Sequence, residues 1–215
     1  AMMHAGILKK AGLYAILRMA VPLMPDGAHR WLPVVAFLAI GNLLHCAWVA
    51  LRQKDMNLLI GNSSLAHMGF AFLGIASLTV IGVTGTVLLM VAHALLAGLS
   101  FALSGYLETQ TGTLDMTRLG GLLRRMPFYG TALVMGFMAG CGLPGFANFA
   151  GEATILFGSW KSLPGLVVIA AWSGLVIGAV AMLRALRAVL HGPERPEFAR
   201  VADTGAWRRL PFVVL

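Results

Sequence analysis

Cys141-Gly-Leu-Pro-Gly-Phe-Ala-Asn-Phe-Ala-Gly-Glu-Ala-Thr-Ile-Leu-Phe-Gly158 is an apolar run interrupted first by Gly-Leu-Pro-Gly (142–145) and then by a carboxylate, Glu152. Of the eight acidic residues, it is the one set inside a hydrophobic stretch. An ionised carboxylate at bilayer depth costs about 2.5–3.5 kcal/mol even on the lower insertion scales, so a chain that keeps one there generally moves or binds charge with it. The apolar run extends from Met126 to about Ser159, longer than the ~20 residues that cross a bilayer as one helix. Pro144 removes a backbone donor and clashes with the preceding turn, and the flanking glycines weaken the helix further. The sequence therefore predicts a discontinuous helix, of the kind tolerated at membrane depth where it lines a cavity.

The surroundings fit a membrane setting. The chain has 215 residues, 59% hydrophobic and only 11% charged, too little charge to cover a soluble domain. The apolar runs are continuous rather than alternating, which argues for helices and against a barrel. The expected fold is all-α, a polytopic transmembrane bundle in one membrane domain over residues 1–215. Six complete spans are expected, near 2–25, 32–51, 56–80, 84–107, 126–159 and 164–190. Trp207 to Leu215 reads as the flank and start of a seventh. Dense glycine permits close helix approach in lipid.

The net charge of +8 is a topology signal and gives no reason to expect a nucleic-acid partner. The second connection carries Arg52 and Lys54, and the fourth Arg118, Arg124 and Arg125. The sixth, with the span ends beside it, holds Arg184, Arg187, Arg195, Arg200, Arg208 and Arg209. The odd connections hold only Arg30 and Lys161. The positive-inside rule places the even connections in the cytoplasm. Cys46 and Cys141 sit in apolar helices with no disulfide or metal-ligand pattern and read as packing residues. No Gly-rich nucleotide loop and no clustered ligand set is visible, so any redox chemistry lies elsewhere.

Polar residues inside the spans are few. Lys9 and Lys10 are adjacent, about 100° apart on a helix, so one is expected to face inward while the other snorkels. His67 follows Ser63 and Ser64 by one turn, which lets those hydroxyls share its face. His93 stands in a wholly apolar stretch. Imidazole accepts and donates a proton near neutral pH. His4 and His45 read as hydrogen-bonded core histidines.

These residues carry a family resemblance. Ala5-Gly-Ile-Leu-Lys-Lys-Ala-Gly-Leu-Tyr14, Asp55 with Ser63-Ser-Leu-Ala-His-Met-Gly69, Met90-Val-Ala-His93, and Gly142-Leu-Pro-Gly with Asn148-Phe-Ala-Gly-Glu152 resemble the antiporter-like proton-translocating subunits of respiratory complex I. Within them the chain is similar to NADH-quinone oxidoreductase subunit M, subunit 4 in mitochondria. The resemblance implies a portion from about helix 8 to the start of helix 14 of a fourteen-helix subunit. It implies a proton relay of Lys10, His67, His93 and Glu152, with Lys10 rather than Lys9 matching the family's Lys-x-Gly-x-Tyr. Glutamate at 152, where the sister subunits usually carry lysine, is what points to subunit M. Two departures stand out: the family's Asp-x-Lys is Asp55-Met-Asn57, and its Ile-Ala-Tyr-Ser-Ser is Ile60-Gly-Asn-Ser-Ser64. A route using that lysine then needs a substitute, for which Lys54 is the candidate.

The resemblance further implies a subunit of an enzyme complex. Flavin, iron–sulfur clusters and quinone are expected in other subunits, with no cofactor or metal in this chain. The implied partners are other membrane-arm subunits, the lipid bilayer and protons, in the bacterial cytoplasmic membrane. The family's first-half glutamate–lysine pair is expected upstream, so this portion alone should not pump. The alternatives are a cation/proton antiporter subunit, the membrane arm of a membrane-bound hydrogenase, or a scaffold whose buried charges only pair internally.

Overall fold

The computed structural model describes residues 1–198 and 201–214. Arg200, assigned above to the sixth connection, and Leu215, the last residue of the anticipated seventh span, lie outside them. Helix α1 (4–23) is followed by α2 (Pro25–Arg52), α3 (Met56–Ala76) and α4 (Val80–Thr111). The broken span is α5 (Pro127–Gly140) and α6 (Ala147–Trp160), and α7 (164–190) and α8 (Ala206–Val214) complete the chain. No strand occurs among the described residues.

Local chemistry sets the boundaries. Asp55 caps α3 by accepting from the Leu58 N–H at 2.9 Å, and Thr79 caps α4 by accepting from Gly82 at 3.0 Å, each satisfying an otherwise orphan donor. Proline opens α2, α5 and α7 at Pro25, Pro127 and Pro164, where its missing N–H costs nothing. This moves one expected boundary. Residues 26–31, anticipated as a connection, form the first turns of α2, because Pro25 starts the helix directly after Met24.

Among the described residues four helices, α2, α3, α4 and α7, are long and apolar enough to cross a membrane. Helix α1 carries Lys9, Lys10 and Arg18, and α5 and α6 have 14 residues each. The chain is a multi-pass membrane protein. Trp31 and Trp160 stand exposed towards one end of the bundle and Trp48 and Trp207 towards the other, as in an aromatic belt. His4 and His45 also face outward, contrary to the core reading. Each lies on a helix face turned from the bundle.

The connections sort into two faces. On one, Met116 donates to the Lys54 carbonyl at 2.8 Å and Gly121 to the His191 carbonyl at 3.2 Å. Arg184 reaches the Gln53 carbonyl at 2.7 Å and Arg195 the Thr117 carbonyl at 2.9 Å. The second, fourth and sixth connections, which hold most of the basic residues, thus meet; this is the basic face. On the opposite face Thr79 joins the Gly158 carbonyl at 3.0 Å. One apolar cluster sits toward the basic face, around Leu59, Leu103, Tyr129 and Leu186. A second sits toward the other, around Leu43, Leu73, Leu89 and Ile155. The polar side chains lie between them.

Candidate functional site

The helix break builds the site. α5 closes with Cys141 donating to the Phe137 carbonyl at 2.9 Å and Leu143 to Met138 at 3.3 Å. Gly142 takes φ +66° and Gly145 φ +107°, conformations that a side chain strains. A Cβ at Gly142 would also collide with Glu152 Oε2. The break therefore turns the chain and leaves room for the carboxylate that follows on α6.

Glu152 is 1% exposed, and its Oε1 lies 3.1 Å from His67 Nε2. The other nitrogen, Nδ1, is 2.7 Å from the Ser63 carbonyl. A carbonyl only accepts, so Nδ1 carries hydrogen. The Nε2–Oε1 contact then holds one proton, on the imidazole beside a carboxylate or on the carboxyl beside a neutral imidazole. Either placement leaves the pair net neutral, which is how a buried acid avoids the desolvation cost of an isolated charge.

The His67 ring, 5% exposed, stacks on His93, 2% exposed, with centroids 4.6 Å apart at 18°. His93 Nε2 is 2.9 Å from the Ser64 hydroxyl. Two small cavities flank this stack. One of about 20 Å³ is lined by His67, Glu152, Ser63 and Cys141, the other of about 10 Å³ by His93, Ser63, Ser64 and Ser100. Each is about the size that holds a single water.

Of the four residues expected to form a relay, the structure brings His67, His93 and Glu152 into contact. Lys10 is buried, 7% exposed, and donates to the Ala5 carbonyl on its own helix. Its helix packs on α4 through Gly6, which faces the Ala94 carbonyl beside His93. Lys9 lies half out of the bundle, beside His4 and Asn42 along a lateral groove. Lys54 is exposed on the basic face, joined to the fourth connection through its carbonyl, and is not part of the cluster.

Several neighbours escaped the sequence reading. Ser64 serves His93 on the adjacent helix rather than His67, and the Ser63 carbonyl, not its hydroxyl, orients His67. Asn148, 2% exposed, lies one turn before Glu152. Ser104 donates to the Asn57 side chain across the α3–α4 seam. A serine pair at 100 and 104 on the His93 face of α4 was the available signal.

The site is a membrane bundle with a helix broken ahead of a buried acid that rests on a histidine stack, an arrangement consistent with an antiporter-like membrane subunit. The profile of the NADH:quinone oxidoreductase/Mrp antiporter transmembrane family matches residues 1–178, and the chain belongs to that family. It is 37% identical over 193 residues to NADH-quinone oxidoreductase subunit M of Pseudomonas aeruginosa, covering 90% of this chain and 38% of that protein. The same subunit of Escherichia coli K12 is 34% identical over 211 residues, 98% of this chain and 41% of that one. A chain of Thermus thermophilus respiratory complex I superposes with a TM-score of 0.89 at 34% identity, over 96% of this chain and 44% of that chain. The resemblance to subunit M is borne out. The chain spans about two fifths of the length of these relatives (38% and 41%).

Proposed function

We propose that this chain is the second-half portion of a subunit M, translocating protons in an NADH:quinone oxidoreductase of the bacterial cytoplasmic membrane. The flavin, iron–sulfur and quinone chemistry is assigned to other subunits, with which its membrane face packs. The basic face is cytoplasmic, by the positive-inside rule. The observation that carries the reading is the Glu152–His67 contact at 3.1 Å, with Nδ1 committed to Ser63.

The chemistry is a single proton shift. With the proton on Glu152, the imidazole is neutral. With the proton on Nε2, the carboxylate faces an imidazolium. At low dielectric a charge several ångströms away biases that equilibrium strongly, and buried Lys10, on the helix that flanks His93, is such a charge. A change in Lys10 driven by a neighbouring subunit moves the shared proton. The cavity lined by both His67 and Glu152 is where it exchanges. Lys10, His67, His93 and Glu152 thus act in alternation, as in other buried proton paths.

Glu152→Gln in the intact complex tests this reading. The proton-to-electron ratio is expected to fall, and a normal ratio sinks the assignment. Sodium-dependent transport with no electron donor would instead favour a cation/proton antiporter on the same scaffold.

A further inference from the structure

Lys9 stands apart from the cluster that Lys10 flanks. Its side chain is half-buried at the rim of a groove of about 540 Å³ between α1, α2 and α3. Only His4 and Asn42 are polar among the other residues that line it; Leu38, Leu65, Met68 and Phe72 form most of its wall. Asn42 is already engaged inside the bundle, donating to the Leu65 carbonyl at 2.9 Å and accepting from the Cys46 thiol at 3.3 Å. No ion pair among the described residues includes Lys9. Glu152 is held by His67, and the remaining acids lie in terminal turns or connections.

The depth of Lys9 closes the ordinary way out for such a charge. A Cβ at Gly6 would stand 3.5 Å from the Ala94 carbonyl, which sets the first turns of α1 level with the middle of α4. At 1.5 Å per residue, about 20 Å or more of helix separates Ala94 from either end of α4. Lys9 lies about one turn further along α1, and helical side chains lean toward the N-terminus of their helix. Its stem therefore points back to mid-bundle, away from the face at which α1 ends. Snorkelling serves lysines near the ends of a span, so headgroup phosphates are out of reach and the snorkelling expected from sequence does not satisfy this one.

We propose that this groove seats a transmembrane helix from outside these 215 residues, and that this helix brings an aspartate or glutamate side chain to Lys9. Charge complementarity selects the occupant. Acyl chains would cover the apolar wall but leave the ammonium unpaired at bilayer depth, where an isolated charge is costly. An apolar helix would do no better. A helix with one acid meets both demands, since its side chains fill the groove and its carboxylate accepts from Nζ. In lipid, apolarity gives helices no drive to associate, and polar contacts act as the glue. The pair also fixes the register of the docked helix against α1, the best-attested use of a buried ion pair. The contact is one of assembly, and it holds whether or not Glu152 moves a proton.

The test treats the intact complex in its native membrane with dicyclohexylcarbodiimide, which enters the bilayer and activates a carboxyl there. Attack by the Lys9 amine forms an amide and releases dicyclohexylurea, so the joined peptides are read by mass spectrometry. The expected product links Lys9 to an acid inside an apolar stretch of a helix outside this chain, and Lys9→Met abolishes it. No cross-link, or one to Glu152 or to an acid in an aqueous connection, overturns the proposal. As a second measurement, Lys9→Leu is expected to lower the yield of assembled complex about tenfold, because it strands the buried acid. Lys9→Glu is expected to lower it at least as far, since it sets acid against acid. Lys9→Glu combined with lysine at the cross-linked acid should restore assembly. If acyl chains fill the groove, Lys9→Leu assembles as well as the parent and melts higher, which overturns the proposal, as does a failure of the charge reversal to restore assembly.

Discussion

Glu152 is held by a division of labour among three residues. His67 shares its proton, Ser63 fixes which nitrogen of His67 is free to do so, and Gly142 leaves space for the second oxygen. Glu152 was legible in sequence because an acid in an apolar run after a Gly-Leu-Pro-Gly break is chemically conspicuous. The Ser64–His93 bond was not, because the two are 29 positions apart and only the register between helices pairs them. Gly142→Ala tests the space argument. A left-handed alanine costs about 1–2 kcal/mol, and its methyl additionally pushes the carboxylate from His67. The variant is expected to unfold at lower temperature, read from the helical circular dichroism of the purified complex, and to pump poorly. A native-like melt with full pumping would show that the carboxylate has room elsewhere.

Among the elements, the broken helix was readable from its glycines and proline, but the way its first half is anchored was not. The N-terminus of α5 offers the Phe128 and Tyr129 N–H groups to Asp203, at 2.9 and 3.1 Å, from about 75 residues away in the chain. No local capping pattern reveals such a partner. Burial pushes the Asp203 carboxyl up, but the backbone donors of Phe128, Thr204 and Tyr129, with Arg209 beside it, outweigh that and hold it below the ordinary carboxylate range. A depressed folded value stabilises the fold above the unfolded pKa of about 3.9, and that contribution is lost as the pH falls through the folded value. Asp203→Ala is expected to cost about 1 kcal/mol near neutral pH, the usual worth of a helix cap. The difference from the parent should shrink in acid. A gap that stays constant down to the acid limit would mean the charge on Asp203 is not what anchors α5.

At the scale of the molecule, the two-faced distribution of basic residues was legible as a count along the chain. The structure gives it a physical form in the hydrogen bonds that tie the second, fourth and sixth connections together. The close packing of α4 on α6 through Gly85 and Gly151 was not legible, since it depends on how near the helices approach. The structure also changes the expectation for Lys54. It is exposed and outside the cluster, so we expect no role for it as a substitute for the lysine absent at Asn57. Lys54→Ala is expected to leave the proton-to-electron ratio unchanged, and a marked fall would return the route to a charged residue at the surface. The central claim is that one proton is shared between Glu152 and His67 and moves during turnover. Infrared difference spectroscopy of the intact complex measures it directly. A protonated-carboxyl band that changes on reduction, vanishes in Glu152→Gln and shifts in His67→Gln is the predicted result; a difference spectrum identical in all three proteins would contradict it.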